Sequence, residues 1–371
     1  MSVPLVEAEI EAGGRFGYRP EFDGLRGVAI LGVVMFHYFR NWFRGSIIGV
    51  DLFFVLSGFL ITRLLFEERR KYGNISLPDF YARRVGRLFP GLVVVSLVLL
   101  VGDRLFIVDS NFRALVSGAI GAVTFTTNWL RVAGVDTSEL SHLWSIAIEQ
   151  QFYLLWPLVV LAVGVSVRRI NRLSAAIVVA AGVNLLVRSL AGVGPGSPSL
   201  FNGLDTHGML TLGAGCWLAT TLTAENRWGN RQVLLTVGLL LAVAARCVLV
   251  VIPDTEVFYR TWARGGAHLT AVAMVVVLVA AKELSWMRFL LSRRALMWLG
   301  QRAYSMFLWH QPVRSYLPIG PVSGLVLRNL VFFAVSVVVS ELSYRLVEQP
   351  GRKWIVNRFS RRGRQAAPAS V

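Results

Sequence analysis

Hydrophobic residues in this chain come in long runs separated by short polar stretches rich in arginine. Runs lie near 24–42, 46–66, 88–108, 114–130, 142–165, 173–191, 204–223, 231–252, 265–281, 295–313 and 323–346. Most approach the roughly 20 apolar residues that a helix needs to cross the hydrocarbon of a bilayer. The pattern predicts an all-α integral membrane protein, and orientation decides how many of the eleven runs cross.

With residue 1 on the cytoplasmic side, the first pair of runs leaves Arg69, Arg70, Lys71, Arg83, Arg84 and Arg87 inside, as the positive-inside rule requires. If 114–130 also crosses, RRINR (168–172) and the basic residues after Arg345 face outward. The stretch ALVSGAIGAVTFTTNWL is the shortest run and the richest in Ser, Thr and Gly. Read as an interfacial or re-entrant piece, it returns every later basic loop, and most of the 38 Lys and Arg, to the inside. The expectation is about ten transmembrane helices with both termini cytoplasmic. A leader at 1–19, a membrane domain at 20–350 and a basic cytoplasmic tail at 351–371 complete the division.

Composition agrees with this reading. Of 371 residues, 55% are hydrophobic and only 16% charged, with a net charge of +17. Topology accounts for most of that charge, so a nucleic-acid partner is not expected. Cys216 and Cys247 both lie in apolar runs and read as small core residues, with no disulfide or metal framework. No cleavable signal peptide is evident, since a mixed-charge leader precedes the first run. No HExxH, Walker A or GxGxxG string occurs.

Charges inside a span are costly unless they pair or line a wet cavity, so they mark functional candidates. In FDGLRGVAILGVVMFHYF (22–39), Arg26 and His37 are eleven residues apart, close to three turns, so they share a helical face. Their separation along the axis is about 16 Å. Taken alone, the pair fits a snorkelling arginine and an interhelical hydrogen-bond donor equally well. In YARRVGRLFP (81–90), Arg84 and Arg87 share a face with Arg83 alongside; arginine forks suit phosphate oxygens, and topological anchoring is the plain alternative. In SHLWSIAIEQQFYLLWP (141–157), His142 and Glu149 stand two turns apart and Tyr153 continues the face. A buried carboxylate needs a cationic or protonated partner, and His142 is the expected one. A structural network tying helices together is the alternative. Asp51 at the outer entry of the second run, Asp205 and His207 at an outer rim, and Tyr304 and His310 on a late run are smaller signals. Ser57 lacks a nucleophile elbow and reads as packing.

Taken together, FDGLRG with its Arg26–His37 spacing, GVDLFFVLSGFLIT, YARRVGRLFP, HLWSIAIEQQFYLLWP and YSMFLWHQP, in that order, resemble the acyltransferase-3 family of polytopic membrane O-acyltransferases. The resemblance runs from about Pro20 to Trp354. It implies transfer of an acyl group, commonly acetyl, from cytoplasmic acyl-CoA to a hydroxyl of a sugar, glycolipid or glycosylated metabolite. On this sequence it makes His37 the catalytic histidine, Arg26 its partner in the signature pair and Arg84 with Arg87 the arginines near acyl-CoA, and it sets His142, Glu149 and Tyr153 in a further recurrent motif. The expected site then has Glu149, Asp51 and His142 in support of His37, Arg26, Arg83, Arg84 and Arg87 on the coenzyme, and Tyr153, Asp205 and His310 at the acceptor; no metal is expected. Gln150 stands where an acidic residue is frequent, and no arginine precedes Asp205. The esterase-like domain appended in some relatives is expected to be absent.

The expected chemistry is base-assisted: an acceptor hydroxyl is too weak an acid to attack a thioester unaided, so a base must take its proton. A transient acyl-histidine is the variant. The resemblance further implies a multi-pass protein of the plasma or inner membrane with a small-molecule or glycan acceptor, and leaves open an envelope sugar or a macrolide-like metabolite. The competing reading is a transporter or flippase for a polar or lipid-linked sugar, which would also bury His, Glu and Arg.

Overall fold

The computed structural model describes residues 18–40, 42–43, 49–106, 111–191, 206–221, 267–317 and 324–360. Every regular element among them is helical. The helices are α1 Pro20–Tyr38, α2 Gly49–Tyr72, α3 Leu77–Phe106, α4 Phe112–Val123 and α5 Thr127–Val132. A 3₁₀ turn, Ser138–Leu143, leads into α6 Trp144–Val163, followed by α7 Val167–Leu190 and α8 Thr206–Thr221. Then come α9 Ala267–Glu283, α10 Ser285–Leu291, α11 Arg294–Gln301 and α12 Ala303–Tyr316. The last stretch is α13 Leu325–Ser343, a π-turn Tyr344–Glu348 and α14 Gln349–Phe359.

Among the described residues, five stretches are long and apolar enough to cross a membrane: Gly49–Tyr72, Leu77–Leu105, Ser138–Val163, Val167–Arg188 and Leu325–Phe359. A sixth, Thr270–Ala281 with Ser285–Leu291, is bent by 92°. The expected run 231–252 lies outside the described residues. The segment 114–130 is no single span. Its helix α4 has 12 residues, about 18 Å against a hydrocarbon thickness of about 30 Å, and the chain turns at Thr124–Thr126, where Phe125 takes φ 56°. Gln151 pins that turn, donating to the Phe125 carbonyl at 2.7 Å and to Asn128 at 3.0 Å. The expected run 295–313 is interrupted at Arg302, between α11 and α12. Residues 351–359, assigned to a tail, continue as helix.

The chain divides into two units. The first contains Met1–Phe36, Arg40–Ile75 and Leu155–Gln301. Its core gathers Phe22, Leu25, Leu52, Val55, Leu56, Phe59, Leu218 and Leu278, with the Phe22 and Phe59 rings edge to face at 5.8 Å. Backbones meet directly where the glycines fall. A Cβ on Gly58 would lie 2.1 Å from the Leu212 carbonyl oxygen, and one on Gly215 2.2 Å from that of Val55, so α2 and α8 touch main chain to main chain. Gly24 of the FDGLRG motif meets the Leu291 carbonyl in the same way, at 1.8 Å. Small residues allowing such close approach characterise helix packing where lipid supplies no hydrophobic drive.

The second unit contains His37–Phe39, Ser76–Leu154 and Arg302–Val371. Its α13 exposes Leu327, Leu330, Val338 and Leu342. Its polar residues Asn329, Ser336, Ser340 and Ser343 are buried. That distribution, apolar outside and polar inside, suits a helix in lipid. The C-terminal end of α14 is tied back to the start of α3, Ser360 donating to Asp79 at 2.8 Å.

Candidate active site

His37 lies in the last turn of α1, and its neighbours in the second unit are the site's centre. Its imidazole ring stands 4.8 Å from that of His310, centre to centre, at 58°. His310 in turn stands 5.1 Å from His142, nearly perpendicular, and Phe307 packs against both at 5.3 and 5.6 Å. Three histidines from α1, the 3₁₀ turn and α12 thus form one cluster. Among the described residues no group of three or more His, Cys, Asp or Glu is arranged to hold a metal ion.

The three rings differ in what their nitrogens can do. His142 presents Nδ1 to the Glu139 carbonyl and Nε2 to that of Phe307, both at 2.9 Å, so neither nitrogen faces an open position. His310 turns Nδ1 toward the carbonyls of Phe307, at 2.8 Å, and Met306, at 3.1 Å. A nitrogen facing two acceptors carries the proton, which leaves the lone pair on Nε2. That atom is fully buried and accepts no hydrogen bond. His37 is the most exposed ring of the three and is held by its backbone: Arg314 donates to its carbonyl at 2.6 Å. Next to it, the Tyr38 hydroxyl shares a hydrogen bond with Ser336 at 2.6 Å and donates to the His310 carbonyl at 2.7 Å, while Asn329 donates to the Tyr38 carbonyl.

The expected pairing of His142 with Glu149 is not seen: both ring nitrogens of His142, in the 3₁₀ turn, face backbone carbonyls. Glu149 instead accepts from the Tyr153 hydroxyl, four residues on, at 2.5 Å. The Arg84 guanidinium lies over the Tyr153 ring at 5.0 Å and faces Phe80 at 5.7 Å. Arg83 and Arg84 are half-buried on α3, as is Arg87 one turn on. Nearby, Tyr304 donates to the Leu88 carbonyl at 2.5 Å. A buried carboxylate that the sequence reading passed over, Glu348, accepts from Ser305 at 2.6 Å.

The remaining candidates fall in the first unit or outside the described residues. Arg26, in the first unit, pairs with Asp23 one turn back at 3.1 Å, and Tyr18 donates to the same carboxylate at 2.8 Å. Asp51 is buried in the first turn of α2, also in the first unit. Asp205 and the side chain of His207 lie outside the described residues.

Comparison with known proteins agrees with this architecture. The family model described as an acyltransferase domain, acyltransferase-3, matches residues 19–345. The chain belongs to that family. A Bacillus subtilis (strain 168) protein named "Putative peptidoglycan O-acetyltransferase YrhL" is 34% identical over 362 residues, covering 93% of this chain and 56% of its own length. The O-acetyltransferase OatA of Staphylococcus aureus (strain NCTC 8325 / PS 47) is 30% identical over 357 residues, 91% of this chain and 57% of its own. The chain therefore spans a little over half the length of these relatives. No solved structure matches it.

Proposed function

We propose that this protein is a membrane O-acyltransferase that moves an acyl group, acetyl in the first instance, from cytoplasmic acyl-CoA to a hydroxyl of a cell-envelope glycan. The observation that carries the reading is the second unit itself. It holds a half-buried imidazole, His37, beside the oriented ring of His310, and an arginine-bearing helix, α3, suited to phosphate. Names among the relatives favour an envelope acceptor over a macrolide-like metabolite. Ten crossings, cytoplasmic termini, residence in the plasma membrane and a membrane domain over 20–350 belong to the same proposal.

In this mechanism Arg84 and Arg87, with Arg83 beside them, contact the coenzyme phosphates through charge-assisted hydrogen bonds. His37 takes the proton of the acceptor hydroxyl as the oxygen attacks the thioester carbonyl. The carbon–sulfur bond breaks, and the coenzyme thiolate recovers that proton from His37. His310 stands behind the ring of His37, His142 packs against His310 in turn, and Glu149 with Tyr153 holds Arg84 against the aromatic face. The roles of Arg26, Asp51 and Asp205 and the acceptor contacts of Tyr153 and His310 belong to the same proposal.

The test follows a label. Membranes containing the protein, given acetyl-CoA labelled in the acetyl group, should transfer it to envelope glycan, and a deletion strain should lack the corresponding acetyl mass on its glycans. A transporter would leave the label on the coenzyme, and that result would sink the reading.

A further inference from the structure

The last helical stretch changes its winding within an apolar run. Residues Tyr344–Glu348 form the π-turn between α13 and α14. On a regular α-helix Ser343 and Glu348, five residues apart, would point about 140° away from one another. Bonding from i to i+5 closes that angle, and Ser343 donates to the Glu348 carboxylate at 3.1 Å. Ser305 of α12 donates to the same oxygen. Glu348 is only 6% exposed. Single π-turns of this kind concentrate at functional sites.

Glu348 is within electrostatic reach of Arg87 on α3, and Arg87 is within reach of Arg352, one turn further along α14. The two helices are in contact there. A Cβ on Gly86 would lie 3.3 Å from the Arg352 carbonyl oxygen, and one on Gly351 2.6 Å from Pro90 Cγ. Arg352 itself is exposed. Two neighbouring guanidinium groups repel, and the one carboxylate within reach of Arg87 leaves the group net positive. An anion with several oxygens on one centre is the ligand that such a group stabilises.

We propose that Arg352 is a further phosphate-binding residue, gripping the same phosphate as Arg87, and that Glu348, aimed by the π-turn, is the positioning residue that holds Arg87 in place. The proposal rests on the coenzyme reading above. The phosphate could come from acyl-CoA or from an anionic lipid headgroup, since the chemistry is shared; the experiment separates the two sources.

The full chain is placed in nanodiscs of phosphatidylcholine, with and without phosphatidylglycerol, and acetyl-CoA affinity is measured alongside turnover. Arg352→Gln, at an exposed position, should raise Kd roughly tenfold in both lipids, about one charge-assisted contact, with kcat at saturation unchanged. Glu348→Gln should raise Kd similarly in the wild-type background. In an Arg87→Ala background it should add nothing, because Glu348 acts through Arg87. An unchanged Kd for Arg352→Gln, or a full additive effect of Glu348→Gln without Arg87, overturns the proposal. So does an Arg352→Gln effect confined to nanodiscs with phosphatidylglycerol, which would assign the phosphate to lipid. Wild-type protein that binds no acetyl-CoA overturns the coenzyme reading itself, a result distinct from these.

Discussion

The His37 and His310 rings lie 4.8 Å apart although 273 positions separate them in the chain, and the His310 backbone carbonyl accepts a hydrogen bond from Tyr38, the residue after His37. The end of α1 and the middle of α12 are thereby locked together at the ring proposed as the base.

Replacing that base separates binding from chemistry. His37→Ala should lower kcat by about 10²–10⁴-fold, the usual contribution of a positioned base, while leaving acetyl-CoA affinity within a few-fold of wild type. Turnover and equilibrium binding measured on the same preparation check it; a loss of affinity with kcat retained would contradict the assignment.

His310→Asn keeps an amide donor near the Phe307 carbonyl and removes the lone pair of Nε2. The variant should remain folded and bind acetyl-CoA, yet turn over at least about tenfold more slowly. Wild-type kcat in this variant would reduce His310 to a packing residue.

His142 should behave differently, since both its nitrogens face backbone carbonyls. His142→Phe removes the single N–H that the neutral ring donates and leaves one of those carbonyls without its donor, a cost of about 1–3 kcal/mol. Thermal unfolding in detergent should register the loss as a lowered Tm. Turnover per folded molecule should stay within a few-fold of wild type.

Arg87→Ala should chiefly raise KM for acetyl-CoA, by about tenfold or more, with a smaller change in kcat. Steady-state kinetics with the coenzyme as the varied substrate decide this, and an unchanged KM would remove Arg87 from the phosphate set.

The close helix crossings give a stability test free of any catalytic assumption. Gly215→Val would drive its side chain into the Val55 carbonyl and should cost about 3 kcal/mol or more, seen as loss of folded yield. Gly102→Ala, on α3 with nothing within 4 Å of the added Cβ, should be neutral or stabilising by up to about 1 kcal/mol.

Much of this arrangement was legible in the order of residues, and the gaps have physical causes. Apolar runs located α2, α6, α7 and α13 closely because hydropathy reports the length of an apolar stretch, whether it is buried or exposed. The same measure placed the third run at 88–108, whereas α3 starts at Leu77, because its first turns carry arginines that a hydropathy window rejects. Helical periodicity put Arg26 on the face of His37, but it could not foresee that backbone carbonyls take both ring nitrogens of His142. Glu348 escaped notice for another reason. An α-helical register turns it away from Ser343, and only the π-turn brings the two together. Arg314, Asn329 and Ser336 surround residues 37 and 38 from a distance of nearly 300 positions, a contact that no local pattern encodes.

The hydrogen bond from Ser360 to Asp79 has a consequence for biosynthesis. Helix α3 emerges from the ribosome early, but Ser360, which clasps it, follows Asp79 by 281 residues, so the arginines of α3 wait unclasped while the intervening helices are made. Nascent chains cut short anywhere before α14 would carry an open α3, a mark by which membrane proteases would recognise them.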